Sequence, residues 1–309
     1  MSDHVLVVGA SLLDTKGKPL VGLEPGTSNP ARIQHSRGGT ARNVAENLGR
    51  LGADVILISA VGSDRTGKRL LEETAGGGVR VDKVLVVEDI NSGSYIALLE
   101  DDGSLAVALD DVSVMEEITA AYLYRNRVLF RDAKMIMIDG SLTPSAMETA
   151  VRLATQYKRP LVADPSSTRL ASKLSRYLSK LHLIVPNEVE AAYLTQVEYA
   201  GYDPDTSLDI ALSLTRSGVR NAVITLSDYG LVYAASDETG YLPARYSAMM
   251  DSTGTGDAVT SAIIFGMIND LPTVESIRLG AAAASLTLQS SETVVPDLSL
   301  DMLYDHLTV

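Results

Sequence analysis

At 309 residues, 46% of them apolar and 21% charged, the chain has the composition of a globular protein with a sizeable core, enough for one large α/β domain or two ordinary ones. Its net charge of −13 argues against a nucleic-acid partner, and any phosphate ligand must be held by local devices such as amides, a metal ion and a few basic residues. The absence of cysteine excludes disulfides and thiolate metal sites, and the scattered His4, His35, His182 and His306 offer no zinc-ligand spacing.

The first apolar run, at 5–10, lacks the length and basic flank of a signal peptide. No stretch approaches the roughly 18 apolar residues of a membrane span. The sequence therefore reads as cytoplasmic, with no membrane partner. That same run, ending at Gly9, has the pattern of a buried strand. Residues 12–37 are polar and rich in Gly and Pro, so loops and short exposed strands are expected there and no core helix. Behind Gly38-Gly39, apolar residues at 44, 45, 48 and 51 follow helical spacing. A buried strand at 54–61 and a helix at 64–74 follow, the latter stopped by Gly76-Gly77-Gly78. The segment Gly62–Arg69 nearly spells a P-loop, but Arg69 stands where Ser or Thr must hold magnesium, so that reading is rejected.

Short strands are expected at 81–87, 94–99 and 105–109, with a hairpin turn at Asp101-Asp102-Gly103. The rhythm then changes to helix 116–130, strand 134–138, helix 144–157, strand 160–164, helix 169–179 and strand 182–185. Helices 187–195 and 206–217, strand 221–226 and a hairpin of 230–235 with 240–246 come next. Three helices close the chain, at about 255–269, 273–288 and 299–307. Such alternation predicts a doubly wound, mainly parallel sheet with helices on both faces. Ligands of open α/β sheets bind at the strands' carboxyl ends, where Asp14, Asp139, Asp164, Asn187 and Glu190 are expected.

Most informative is Asp251-Ser252-Thr253-Gly254-Thr255-Gly256-Asp257, running straight into an apolar helix. Two glycines at spacing two bring bare amides to a helix N-terminus, which makes an anion site. An acid beside a bound phosphate suits the removal of a proton from an attacking hydroxyl. The same spacing also fits a Gly-rich turn in which Asp257 only caps the helix, and the stretch alone leaves both readings open.

Taken together, the motifs resemble those of the ribokinase-like (PfkB) carbohydrate kinases. Gly38-Gly39-x-x-x-Asn43 with Val61-Gly62-x-Asp64-x-x-Gly67 is similar to the family's first signature, and Asp251–Asp257 to its second, D-T-x-G-A-G-D. Pro186-Asn187-Glu188-Val189-Glu190 resembles its N-x-x-E element, and Thr225-Leu226-Ser227-Asp228-Tyr229-Gly230 its T-L-G-x-x-G loop. Ser28–Ile33, Arg42-Asn43 and 98–108 most resemble the pseudouridine-kinase branch. Two positions depart from the pattern: Leu13 stands beside Asp14 where a sugar-contacting polar group is expected, and Ser227 replaces the loop's first glycine.

The resemblance implies a single ribokinase-like domain over 1–309, with a small β-sheet lid from about 12–36 and 91–110. It implies transfer of the γ-phosphoryl group of ATP to the 5′-hydroxyl of a ribosyl substrate, pseudouridine first, with another nucleoside, a sugar or a silent binding role as alternatives. Asp257 would be the base, with the amides of Gly254, Thr255, Gly256 and Asp257 at the transferring group; Asp14, Gly38, Gly39 and Asn43 would hold the sugar. Asn187, Thr225, Ser227 and Gly230 would meet ATP, and Asn187 with Glu190 would place Mg2+ largely through water. The carbonyls of Asp251 and Thr253 are candidates for K+, and Arg42 for a phosphate clamp. Exposed strands in the lid, unable to bury both faces in one subunit, point to a homodimer built through it.

Overall fold

Val5-Leu6-Val7-Val8 carries no polar break, the pattern of a strand covered on both faces, and it forms the central strand β1 (Val5–Val8). The computed structural model describes residues 4–100, 105–199, 201–235, 238–244 and 253–307. After β1 come β2 (Leu12–Pro19), β3 (Ala31–Gly38), α1 (Thr40–Arg50), β4 (Val55–Gly62), α2 (Arg65–Gly76), β5 (Val79–Val87), β6 (Gly93–Leu99) and β7 (Leu105–Asp111). The middle of the chain gives α3 (Ala120–Arg125), α4 (Arg127–Asp132), β8 (Met135–Asp139), α5 (Pro144–Gln156), β9 (Leu161–Asp164), α6 (Thr168–Ala171) and β10 (Leu183–Ile184). Then follow α7 (Glu188–Thr195), α8 (Pro204–Arg216), β11 (Asn221–Thr225), β12 (Gly230–Ala234), β13 (Thr239–Pro243), α9 (Thr255–Ile268), α10 (Thr273–Leu288) and α11 (Leu300–Asp305).

Among the described residues the strands make two sheets. The larger runs β13-β12-β11-β10-β9-β8-β1-β4-β5 and is parallel except where β12 pairs antiparallel with β11 and β13. Its alternation sorts the core: Leu6, Val8, Ile56, Ile58, Ile136 and Ile138 pack toward α3, α4, α5, α7 and α8. Val5, Val7, Val55, Leu57, Met135 and Met137 pack toward α1, α9, α10 and α11. Each such fully buried side chain stabilises the fold by roughly 1.5–3 kcal/mol. From β1 the chain winds outward to β5, then returns to the other side of β1 at β8 and winds out to β13. The winding thus reverses between β1 and β8, which places the ligand crevice at their carboxyl ends.

The smaller sheet, β3-β2-β6-β7, is the lid. β2 and β3 pair antiparallel from Leu12↔Gly38 to Pro19↔Ala31, while β2 and β6 run parallel. Register puts Asp14, Ser36, Tyr95 and Asp110 side by side on one face. On the opposite face Ile33, Ile96, Val107 and Leu109 are 57%, 49%, 53% and 67% exposed, an uncovered apolar surface.

Three expectations need correction. Helix 116–130 is broken into a 3-10 turn at Ser113–Glu117, α3 and α4. Thr119 is extended and accepts from Tyr122 N, so helix starts only after it, and Asn126 ends α3 with its side chain on Tyr122 O. Helix 169–179 is the single turn α6 and a 3-10 turn at Ser175–Lys180. The lid strands at 12–38 are not short: β2 and β3 are eight residues each and pair along their full length. The expected hairpin turn at Asp101-Asp102-Gly103 lies outside the described residues. None of the described helices is long and apolar enough to cross a membrane.

Candidate active site

Helix α9 starts without a side-chain cap: its N-cap is Gly254, left-handed at φ 83°. The first helical hydrogen bond runs from Ala258 N to Gly254 O at 2.9 Å, so the amides of Thr255, Gly256 and Asp257 precede it, where a helix has no acceptors of its own. A Cβ on Gly254 would overlap the Thr293 carbonyl, so this glycine serves the turn. Gly256 faces open space, and it is this glycine that keeps the anion position clear.

Asp257 follows in the first turn, and Asn43 Nδ2 donates to its Oδ2 at 2.6 Å. Burial pushes its carboxyl up to about 7; Asp14 and Asp139 add to the rise, while the Asn43 bond and Arg42 oppose it. A base titrating there is matched to proton transfer near neutrality.

The opposite wall comes from the glycine pair. A Cβ on Gly38 would overlap the Asp14 carboxylate, and one on Gly39, at φ 91°, would overlap the Ala10 carbonyl. Asp14, Gly38 and Asn43 therefore meet at one place beside Asp257. Asp139 ties this corner to the sheet, accepting from Ala10 N at 2.8 Å, Ala41 N at 3.2 Å and Ser141 N at 2.9 Å. It caps the start of α1 from a distance, and burial raises its carboxyl as well. Leu13 lies on the other face of β2 from Asp14 and lines a separate 220 Å³ cavity with Arg37, Arg65 and Arg69. The side chain sharing Asp14's face is Leu12, so the apolar replacement at Leu13 does not touch the corner of Asp14, Gly38 and Asn43.

On the far side of Asp257 opens a cavity of about 490 Å³. Gly254, Thr255, Gly256 and Asp257 form one end; Asn187, Glu190, Thr225, Ser227 and Gly230 form its sheet side. Val259, Ala281, Ala284, Leu288 and Leu242 make an apolar slot. Asn187 caps α7 by accepting from Glu190 N at 2.9 Å, while Glu190 Oε2 accepts from Asn187 N at 2.9 Å. This reciprocal box fixes both side chains at the cavity wall. Ser227 holds φ 49°, the left-handed region in which the resemblance expects glycine.

Asp164, singled out in the sequence only as a strand-end acid, joins Glu188, Glu190 and Asp257 among the carboxyl residues lining this cavity. It accepts from Ser166 N at 2.9 Å; burial first, then the charges of Asp257 and Glu190, pushes its carboxyl well above the usual range. Burial raises Glu190 too. The charges of Glu190 and Asp257 thus bear on Asp164 at this wall, a set of carboxyls that a cation would relieve. Among the described residues no three His, Asp or Glu side chains are placed to ligate one ion directly. Thr255 Oγ1, Ser166 Oγ and Glu188 Oε1 are buried without a hydrogen-bond partner, and all three residues line the same cavity. Orphaned polar atoms around a cavity are what a polar ligand would satisfy.

One sequence expectation changes. Arg42 is no phosphate clamp: it is fully buried and bound to Glu46. Thr253 receives a hydrogen bond from Lys16 on the lid, joining lid to anion loop; the other K+ candidate, Asp251, lies outside the described residues. The Lys16 contact, between residues far apart in the chain, had no sequence signal.

The pfkB family carbohydrate kinase profile matches residues 2–299. The chain belongs to the pfkB family. This pfkB kinase is 31% identical over 299 residues to the pseudouridine kinase of Escherichia coli (strain K12), covering 96% of this chain and 94% of that one. It is 27% identical to the guanosine-inosine kinase of Exiguobacterium acetylicum, covering 97% and 99%. Its fold matches Arabidopsis thaliana ribokinase, solved with ribose and ATP, at a TM-score of 0.84 and 20% identity over the whole of both chains.

Proposed function

We propose that this pfkB kinase transfers the γ-phosphoryl group of ATP to the 5′-hydroxyl of pseudouridine. One observation carries the reading: Asp257, titrating at about 7, stands between the open amides of α9 and the corner of Asp14, Gly38, Gly39 and Asn43. The adenine of ATP fits the apolar slot, with Thr225, Ser227, Gly230 and Asn187 along the nucleotide and its terminal phosphate at Thr255, Gly256 and Asp257. The sugar lies under the lid, where Asp14 accepts from a hydroxyl and Asn43 donates to one. Asp257 takes the proton of the 5′-hydroxyl as its oxygen attacks phosphorus, and the α9 amides stabilise charge on the transferring group.

The carboxyls of Glu190 and Asp164 and the orphaned cavity atoms suit Mg2+ held through water, with Asn187 fixing Glu190. When bound, that ion neutralises charge on the phosphate oxygens. K+ beside Thr253 and Asp251 is the remaining ion in this reading. The chain works as one catalytic domain, paired into a homodimer through the apolar lid face of Ile33, Ile96, Val107 and Leu109.

Support for pseudouridine comes from the 31% identity to the E. coli pseudouridine kinase and from the resemblance of the Arg42-Asn43 segment to that branch. Another nucleoside or a sugar is the second reading, favoured by the similarity to a guanosine-inosine kinase along the full chain. Incubation with ATP, Mg2+ and pseudouridine should give one ADP per product, with phosphorus coupled to the 5′ protons in NMR. Phosphate on another oxygen, or none on the nucleoside, contradicts the reading.

A further inference from the structure

Arg42 is fully buried, and four hydrogen bonds direct its guanidinium. Its Nε donates to Gly38 O at 3.1 Å and Nη2 to Arg37 O at 3.4 Å; Nη1 reaches Glu46 Oε2, and Nη2 also reaches Asn43 Oδ1. Glu46, also fully buried, takes in addition Arg50 Nε at 3.0 Å and Arg37 Nη1 at 3.4 Å. This hub lies directly beneath the residue that bonds Asp257.

A guanidinium has donors only, so the Asn43 atom facing Arg42 must be the carbonyl oxygen. The amide nitrogen is thereby turned toward Asp257. An unlocked Asn43 would have two orientations: donor to a charged Asp257, acceptor from a protonated one. Asp257 alternates between those states whenever it takes and releases a proton. We propose that Arg42, held by Glu46, is a positioning residue that locks the Asn43 amide as a donor toward Asp257 and the acceptor hydroxyl throughout the cycle. This rests on the reading of Asp257 as the base.

The charged groups facing Asp257 are Asp14 from β2, Asp139 from β8, Asp164 from β9 and Arg42 from α1. Those facing Arg42 are Glu46 on its own helix, Arg37 from β3 and Asp14 from β2. Arg42 is the positive member of Asp257's set, and it favours the charged carboxylate directly as well as through Asn43.

The test is a double-mutant cycle with Arg42→Met, Asn43→Ala and the pair, reading kcat/KM for the nucleoside from pH 5.5 to 9. Arg42→Met alone should lower the alkaline plateau by about tenfold or more, and in the Asn43→Ala background by under about threefold, because its action runs through that amide. Its acid limb should also move to higher pH. Equal plateau losses in both backgrounds, or an unmoved acid limb, would overturn the proposal. If Arg42→Met does not fold, Arg42→Lys keeps the charge beside Glu46 without the fork and carries the same plateau test against Asn43→Ala. Normal turnover by Asp257→Asn would overturn the base assignment itself, and the lock with it.

Discussion

Replacing Asp257 by Asn should separate activity from stability in opposite directions. Asn can still accept the Asn43 Nδ2 hydrogen bond through its carbonyl oxygen, and its shape is nearly the same. What disappears is the proton acceptor and a charge that burial makes unfavourable. A carboxyl raised from 3.8 to about 7 binds its proton more tightly folded than unfolded, so the wild type loses stability as pH rises through that window. At 1.36 kcal/mol per pKa unit the shift from 3.8 to about 7 amounts to about 4 kcal/mol at most, reduced by water entering from the cavity. Asp257→Asn should therefore melt higher than wild type at pH 8, with the difference shrinking toward pH 4. Its kcat should fall by about 10²–10⁴, with the dissociation constant for ATP within a few-fold of wild type. The assays are coupled ADP release, calorimetry with ATP, and thermal melts at both pH values. A variant with near-normal kcat, or one that melts lower than wild type at pH 8, would refute the reasoning.

The two glycines of the anion loop should fail differently. Gly256→Val projects into open space and should abolish turnover and weaken ATP binding with little change in Tm, whereas Gly254→Ala, forced against the Thr293 carbonyl at positive φ, should lose Tm as well. Glu190→Gln should raise the Mg2+ concentration for half-maximal activity by about tenfold, the usual worth of an outer-shell partner, measured by metal titration at saturating ATP. An unchanged titration would remove Glu190 from the ion's surroundings. Leu109→Lys on the bare lid face should convert a dimer to a monomer in light scattering at micromolar concentration, while a wild type already monomeric would dispose of the lid interface.

Much of this organisation was legible where local chemistry decides it. Unbroken apolar runs such as Val5–Val8 announce a doubly covered sheet, and a glycine pair ahead of an apolar run announces a helix whose amides are open. The turn residues of 116–130 were less readable, because Thr119 and Asn126 interrupt a pattern whose apolar spacing continues across them. At Leu13 strand period two sends the side chain away from Asp14, so adjacency in sequence is not adjacency at the site. Arg42 had the clearest local clue, Glu46 one helical turn on, yet its burial depends on Gly38 and Arg37 arriving from β3. The acidity of Asp164 and Asp257 likewise depends on carboxyls that three separate strands and two helices bring to one wall.

The most direct measurement is a competition for limiting enzyme among pseudouridine, uridine, guanosine, inosine, adenosine and ribose, with ATP and Mg2+ in excess and each phosphorylated product quantified. Pseudouridine should lead in kcat/KM, and strongly over uridine if a site group pairs with the extra ring N–H, which uridine would leave unpaired. Equal or faster phosphorylation of ribose or adenosine would contradict the substrate assignment, and no phosphorylated product from any of the six would contradict the proposed reaction.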